Sequence, residues 1–343
     1  MSNDLEIGGG WRSGRVKQLK PHSAFFLINP STYQPFHSTT LPPLHSSTQI
    51  HLPLVMLGFD EQLALLAESA LSEDIGEGDH STLASISAEA KGRAQLKIKE
   101  DGILAGVRVA ESIFHLREPS AIFSPKKVDG EIMHAGEIAF EIEASVYTIL
   151  SCERLVLNCM QRMSGIATYT RIYADKIKGY KSRILDTRKT TPNFRLLEKE
   201  AVRIGGGHNH RFGLFDMIML KDNHIEYSGG IEAAINKAYD YNRELTRPLK
   251  IEIETRSMDE VKEVVRVGKV DRIMLDNFKP GQIAEALELI GGRYETEASG
   301  GITLDNIEKY AATGVDYISI GALIHQARSL DLSLKAILGI SLR

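Results

Sequence analysis

The 343-residue chain is 43% hydrophobic and 25% charged, enough apolar material for one large domain and a smaller one without disulfide staples. A formal net charge of -4 excludes the general basic surface that nucleic-acid binding needs, so any basic site has to be local. No apolar run reaches the roughly 20 residues that cross a bilayer, and Cys152 and Cys159 match neither CxxC nor a metal-ligand spacing, so they are expected to be reduced core thiols.

Residues 1–56 are rich in Ser, Thr, Pro and His, and no acidic residue stands between Glu6 and Asp60. Such a segment buries little surface and is expected to be disordered. Its basic residues, Arg12, Arg15, Lys17 and Lys20, give it the character of an organelle transit peptide, while a translation start near Met56 would remove it altogether. Without such a leader the expected location is cytoplasmic. From Gly58 the texture is globular. DEQLALLAESALSEDI carries the helical apolar period, and RAQLKIKEDGILAG, SAIFSPKKVDGEIMHAG and EIAFEIEASVYTIL alternate between turn signals as antiparallel strands do. Residues 57–153 are therefore expected to form a small sheet with helices. CERLVLNCMQRMSGIATYTRIYADKIKG is a long helix leading into the next unit.

Beyond it, SRILDTRKT, DMIMLKDNH, LKIEIETRS, DRIMLDNF, YETEASGGIT and YISIGAL are six short apolar or alternating runs, most of them followed by a helical stretch. Strand then helix, repeated, with no GxGxxG after the first strand, favours a complete or incomplete α/β barrel over residues 154–326. A doubly wound sheet is the alternative.

Barrel active sites lie at the C-terminal ends of the strands, and here those ends are sorted by charge. Arg188, Lys189, His210, Arg211 and Lys221 gather at the first two; Glu252, Glu254 and Asp276 at the middle two; Ser299, Gly300, Gly301, Ser319 and Gly321 at the last two. The period of two in IEIET puts Glu252 and Glu254 on one face, where buried carboxylates need cations or a metal, and Glu254 with Asp276 suits Mg2+. ASGG and SIGA each precede a helix, so their backbone N–H groups can bind a phosphate. The stretch GGGHNHRFGLFDMIMLKDNH admits a phosphate loop, a metal site on His208, His210 and His224, or a receptacle for an organic anion. His208 and His210 sit in a glycine loop without a cysteine and His224 follows a lysine, a poor zinc set, whereas two arginine forks and a lysine suit more than one carboxylate.

Taken together, ERLVLNCMQRMSGIAT, LDTRKTTPNFR, AVRIGGGHNHRFGLFDMIMLKDNH, IEIET, RIMLDNF, EASGGIT and ISIGAL resemble the successive motifs of the quinolinate phosphoribosyltransferase family, from about residue 57 to the C-terminus. The resemblance implies an N-terminal α/β sandwich, to which residues of about 327–343 return, and an incomplete α/β (TIM-like) barrel. It also implies a homodimer in which Arg154 reaches the partner's site. The implied reaction joins quinolinate and phosphoribosyl pyrophosphate with Mg2+, giving nicotinate mononucleotide, pyrophosphate and CO2 for NAD synthesis; neither nucleic acid nor membrane is an expected partner. Carried over by motif, Arg154, Arg188, His210, Arg211 and Lys221 hold quinolinate. Lys189, Asp222, Ser299, Gly300, Gly301, Gly321 and His325 meet the sugar donor, Glu254 and Asp276 hold the metal, and the catalytic set is Lys189, Lys221, Glu254 and Asp276. Asn193-Phe194 departs from the family's usual glycine-leucine after TTP. A ModD-type accessory protein of molybdenum transport shares the barrel and several motifs, but the full set of Arg154, Arg188, Arg211 and Lys221 argues for the enzyme.

Overall fold

The computed structural model describes residues 57–337. The chain starts with α1 (Phe59–Ile75) and α2 (His80–Ser85), then β1 (Lys91–Ile98), β2 (Gly102–Ile103), α3 (Val107–Arg117), β3 (Ile122–Pro125), β4 (Ile132–Met133) and β5 (Ile138–Ser145). Alternation in β1 turns Ala94, Leu96 and Ile98 inward, where they meet Leu63 and Ala67 of α1 and the Phe114, Phe123 and Phe140 ring cluster in one apolar core. β1 pairs antiparallel with β5, and β5 with β3. On its other edge β1 pairs with the last strand of the chain, β12 (Leu332–Ala336), running antiparallel from Ile98 opposite Leu332 to Ala94 opposite Ala336.

Helix α4 (Val146–Lys176) packs against both this sheet and the elements that follow, so a division at residue 153 falls inside a continuous helix. Ser145 caps it by accepting from the Thr148 N–H at 3.1 Å. Cys152 and Cys159 lie in its buried face as free thiols, pushed up to about 11 and about 12 by burial, so neither is a ready nucleophile.

The remainder alternates strand and helix: β6 (Arg183–Leu185), α5 (Arg195–Ile204), β7 (Ile218–Leu220), α6 (Asp222–Ser228), α7 (Ile231–Glu244), β8 (Ile251–Thr255), α8 (Met258–Val267), β9 (Arg272–Asp276), α9 (Pro280–Ile290), β10 (Glu295–Ser299), α10 (Ile307–Ala311), β11 (Tyr317–Ser319) and α11 (Ala322–His325). All six strands are parallel, in the order β6-β11-β10-β9-β8-β7. The first strand in sequence pairs with the last, so the sheet curls back on itself as a barrel rather than lying open as a doubly wound sheet. β6 and β7 do not pair with each other; on that flank β6 instead makes a single parallel bridge from Leu185 to His208. The barrel is therefore incomplete, with a seam where GGGHNHR stands in for a strand. At its first glycine a side chain would come within 2.5 Å of the Ala167 carbonyl of α4, so the loop can pack against α4 only with glycine at 205. Among the described residues, no helix is long and apolar enough to cross a membrane.

Candidate active site at the C-terminal end of the barrel

A cavity of about 460 Å3 opens at the C-terminal ends of the barrel strands. It brings together nine of the residues singled out by sequence: Arg188, Lys189, His210, Arg211, Lys221, Glu254, Asp276, Ser299 and Ser319. On its cationic side, burial and then the charge of Arg188 push the Arg211 guanidinium below its usual range, against a smaller opposing pull from Glu252 and Asp216, so the two arginines lie within electrostatic reach of each other. The Arg188 Nε is buried and has no hydrogen-bond partner among the described residues. A buried donor left in this state costs free energy unless a ligand supplies the acceptor. Met219 and Met274 also line the cavity and give it apolar surface among the charged groups of its lining.

On the opposite side, neighbouring parallel strands present Glu254 and Asp276. Burial and then the charge of Glu254 raise Asp276 above the usual carboxylate range, and Lys221 Nζ meets Glu254 Oε2 at 3.1 Å. Asp276 is in register with Ser299 of β10, so the acids adjoin the small strand ends. There Gly300 has φ of 91°, and a Cβ on it would sit 2.3 Å from Asn277 Oδ1, so only glycine makes this turn. Gly301 follows with φ of 63°. Gly321 caps α11 directly under Lys189 and His325, and a second depression lined by Lys189, Thr190, Thr191 and His325 continues the site there. Asn193, at the departure from the family pattern, has φ of 61°, so asparagine adopts the left-handed conformation that glycine takes more cheaply.

Two expected site residues stand apart from this arrangement. Arg154 lies on the exposed face of α4 and does not line the cavity of its own chain. Asp222 opens α6 beside Lys221 but also stays off the lining. His210 reaches the cavity floor only as a buried ring. Its Nε2 is 3.0 Å from Glu252 Oε2 and 3.3 Å from Glu297 Oε2, and its Nδ1 accepts the Arg211 N–H at 2.7 Å, so both ring nitrogens face protein groups. Burial disfavours its charge, but the two glutamates outweigh that and raise it to about 9. The Arg211 N–H on Nδ1 favours the neutral ring and the two glutamates the charged one, which links the ring's charge to the course of the pocket backbone.

His208, His210 and His224 do not converge. Among the described residues the one cluster of metal-ligand type is His210, Glu252 and Glu297. Arg272 already reaches into it, 3.0 Å from Glu297 and 3.8 Å from Glu252, so a cation is built in. His224 instead accepts from the Lys221 N–H at 3.1 Å at the start of α6. Glu297 and Arg272 went unnoticed in the sequence, although the alternation in ETEAS puts Glu297 on the barrel face by the argument used for IEIET.

A parallel barrel with a paired arginine pocket, two facing acids and two glycine turns at one end defines an enzyme that brings two anionic ligands together. Comparison with known proteins agrees. The family models for the N-terminal and C-terminal domains of quinolinate phosphoribosyl transferase match residues 79–164 and 166–335. The chain is 44% identical over 281 residues, 78% of its length and 80% of the relative's, to quinolinate phosphoribosyltransferase (decarboxylating) 1b of Nicotiana tabacum. It is 43% identical over 288 residues, 80% of its length and 82% of the relative's, to the chloroplastic nicotinate-nucleotide pyrophosphorylase (carboxylating) of Arabidopsis thaliana. The crystal structure of NadC from Streptococcus pyogenes superposes with a TM-score of 0.75 at 40% identity, covering 81% of this chain and 98% of that one. The chain belongs to the quinolinate phosphoribosyltransferase family, the decarboxylating pentosyltransferases of NAD biosynthesis.

Proposed function

We propose that the barrel mouth transfers the phosphoribosyl group of phosphoribosyl pyrophosphate to quinolinate and releases CO2, yielding nicotinate mononucleotide and pyrophosphate. The observation that carries this is the Arg188–Arg211 pair: two neighbouring guanidinium groups, one with an orphaned buried Nε, in a cavity that Met219 and Met274 also line. Each guanidinium offers a planar fork to a carboxylate, and each charge-assisted bond is worth about 1.5 to 3 kcal/mol. Lys221 completes the dicarboxylate pocket. Lys189, Gly321 and His325 with Ser299, Gly300 and Gly301 form the phosphate side, and Asp222 borders it.

Glu254 and Asp276 fit Mg2+ by donor chemistry, being two hard oxygen donors whose mutual repulsion already raises Asp276. When bound, Mg2+ supplies charge neutralisation for the pyrophosphate leaving group. As the bond from the anomeric carbon to pyrophosphate breaks, positive charge builds on the ribose, and Glu254 and Asp276 stabilise it. The pyridine nitrogen forms the new bond to that carbon. The bond from the adjacent ring carbon to its carboxylate then breaks, its electron pair rests beside the cationic ring nitrogen, and a proton replaces CO2.

The exposed place of Arg154 favours a homodimer in which it completes the partner's pocket. The acid-poor residues 1–56 lie outside the described structure; their composition supports import into an organelle, and without import the protein acts in the cytoplasm. The test of the reaction is to incubate the protein with quinolinate, phosphoribosyl pyrophosphate and Mg2+ and to follow nicotinate mononucleotide and CO2, with nicotinate as control. Absence of product from quinolinate overturns the assignment. For the dimer, mixing Arg154→Ala and Arg211→Ala subunits restores activity if the site is shared, and lack of complementation excludes sharing.

A further inference from the structure

Two consecutive residues of α5, Glu198 and Lys199, are 0% and 2% exposed. Buried charges are costly, and apolar residues of the same size would generally hold a helix in place at less expense. Their partners lie on different sides, because neighbours on a helix point about 100° apart.

Lys199 faces the barrel. Its Nζ donates to Asp186 Oδ1 and, at 3.1 Å, to the His210 carbonyl. Asp186, at the end of β6, also accepts from the His210 N–H at 2.8 Å and from Asn209 Nδ2 at 2.6 Å. Asn209 Nδ2 lies 2.8 Å from the Lys199 carbonyl as well. The backbone on both sides of His210, which leads directly into Arg211, is thus tied to the same carboxylate that precedes Thr187 and Arg188. Glu198 faces α4. It accepts from Arg162 Nε at 3.0 Å and Nη2 at 2.9 Å, from the Thr191 N–H at 2.7 Å and from Thr191 Oγ1 at 2.9 Å. Arg162 in turn donates to the Ile324 carbonyl at 2.8 Å and to the Ala327 carbonyl, holding α11 and its His325.

We propose that Glu198 and Lys199 are positioning residues that set the two halves of the active site separately. Lys199, through Asp186 and the His210–Arg211 backbone, fixes the dicarboxylate half. Glu198, through Thr191 and Arg162, fixes the phosphate half around Lys189 and His325. This rests on the ligand assignment given above. In the seam between β6 and β7 a single backbone bridge reaches the loop, the His208 N–H donating to the Ile184 carbonyl at 2.8 Å and the Asp186 N–H to the His208 carbonyl at 3.1 Å, and the α5 pair adds the placement of His210 and Arg211 beyond it.

The experiment measures KM for each substrate, together with direct titration of quinolinate alone and of phosphoribosyl pyrophosphate with Mg2+, in variants whose folding is checked by thermal melting. Lys199→Met should raise KM and the dissociation constant for quinolinate at least about tenfold and leave those for the donor within about twofold. Glu198→Gln should do the reverse. Arg211→Ala and His325→Ala serve as references: if these two do not split by substrate, the ligand assignment itself is wrong. If they split but Lys199→Met and Glu198→Gln raise both constants in parallel, or neither, the proposal is overturned. Should Lys199→Met or Glu198→Gln fail to fold, Asn209→Ala and Thr191→Val cut the far end of each clamp and are read by the same criterion.

Discussion

At the N-terminal ends of the barrel strands, Lys250 meets Glu295 at 2.9 Å, Arg272 meets the same carboxylate at 3.0 Å, and Lys181 meets Asp316 at 2.9 Å, around a depression of about 670 Å3. At the C-terminal ends, around the smaller cavity of about 460 Å3, the charge of Arg188 bears on Arg211 and that of Glu254 on Asp276, even with Lys221 paired to Glu254 at 3.1 Å. Cavity size alone would choose the wrong end. Charges neutralised by their own neighbours maintain the fold, while like charges held together, with a buried donor unfilled, are arranged for a ligand.

The comparison can be broken from either side. The largest effect is expected at the acid pair: Glu254→Gln or Asp276→Asn should lower kcat on the order of 100-fold to 1,000-fold, and chelation of Mg2+ should stop turnover, both read from nicotinate mononucleotide formation. An unchanged rate would remove these acids from the chemistry. Next, Arg211→Ala loses about 1.5 to 3 kcal/mol of charge-assisted binding, a rise in quinolinate KM of about 10-fold to 100-fold, with little change for the donor.

A third effect concerns stability against pH. His210 is raised in the folded protein from 6.5 to about 9, by Glu252 and Glu297 against the cost of burial. Its contribution to stability is therefore complete below pH 6.5 and is lost as pH rises through 9. The melting midpoint should fall over that window, and Glu297→Gln should flatten the fall; a flat wild-type profile would mean the ring is neutral throughout. The smallest effect belongs to the opposite end. Lys250→Ala removes an exposed ion pair and should cost less than about 1 kcal/mol in chemical denaturation, with turnover within about twofold. A large loss of activity there would contradict the division between the two ends.

Much of this division was legible in the sequence, because a strand's period of two and the βα repeat place strand ends without knowledge of contacts. DTRK, KDNH, IEIET, LDN and ASGG came out at one end of one barrel for that reason. What stayed hidden depended on contacts distant in sequence. In RLLEKEAVRI, Glu198 and Lys199 look like solvated helix charges, and only the packing of α5 against α4 and the seam buries them. His210 could be grouped with the cations of the pocket from sequence, but not joined to its two glutamates, which come from β8 and β10, far along the chain. The triple glycine could be read as allowing close backbone approach, but that the approach is to α4 depends on the long helix beside it.

The most direct test of the central claim is calorimetric titration of wild-type protein and Arg211→Ala with quinolinate and with nicotinate. The unpaired arginines predict that wild type binds quinolinate at least about tenfold more tightly than nicotinate and that the preference collapses in Arg211→Ala. Equal affinity of wild type for the two acids, or a preference that survives in the variant, would contradict it.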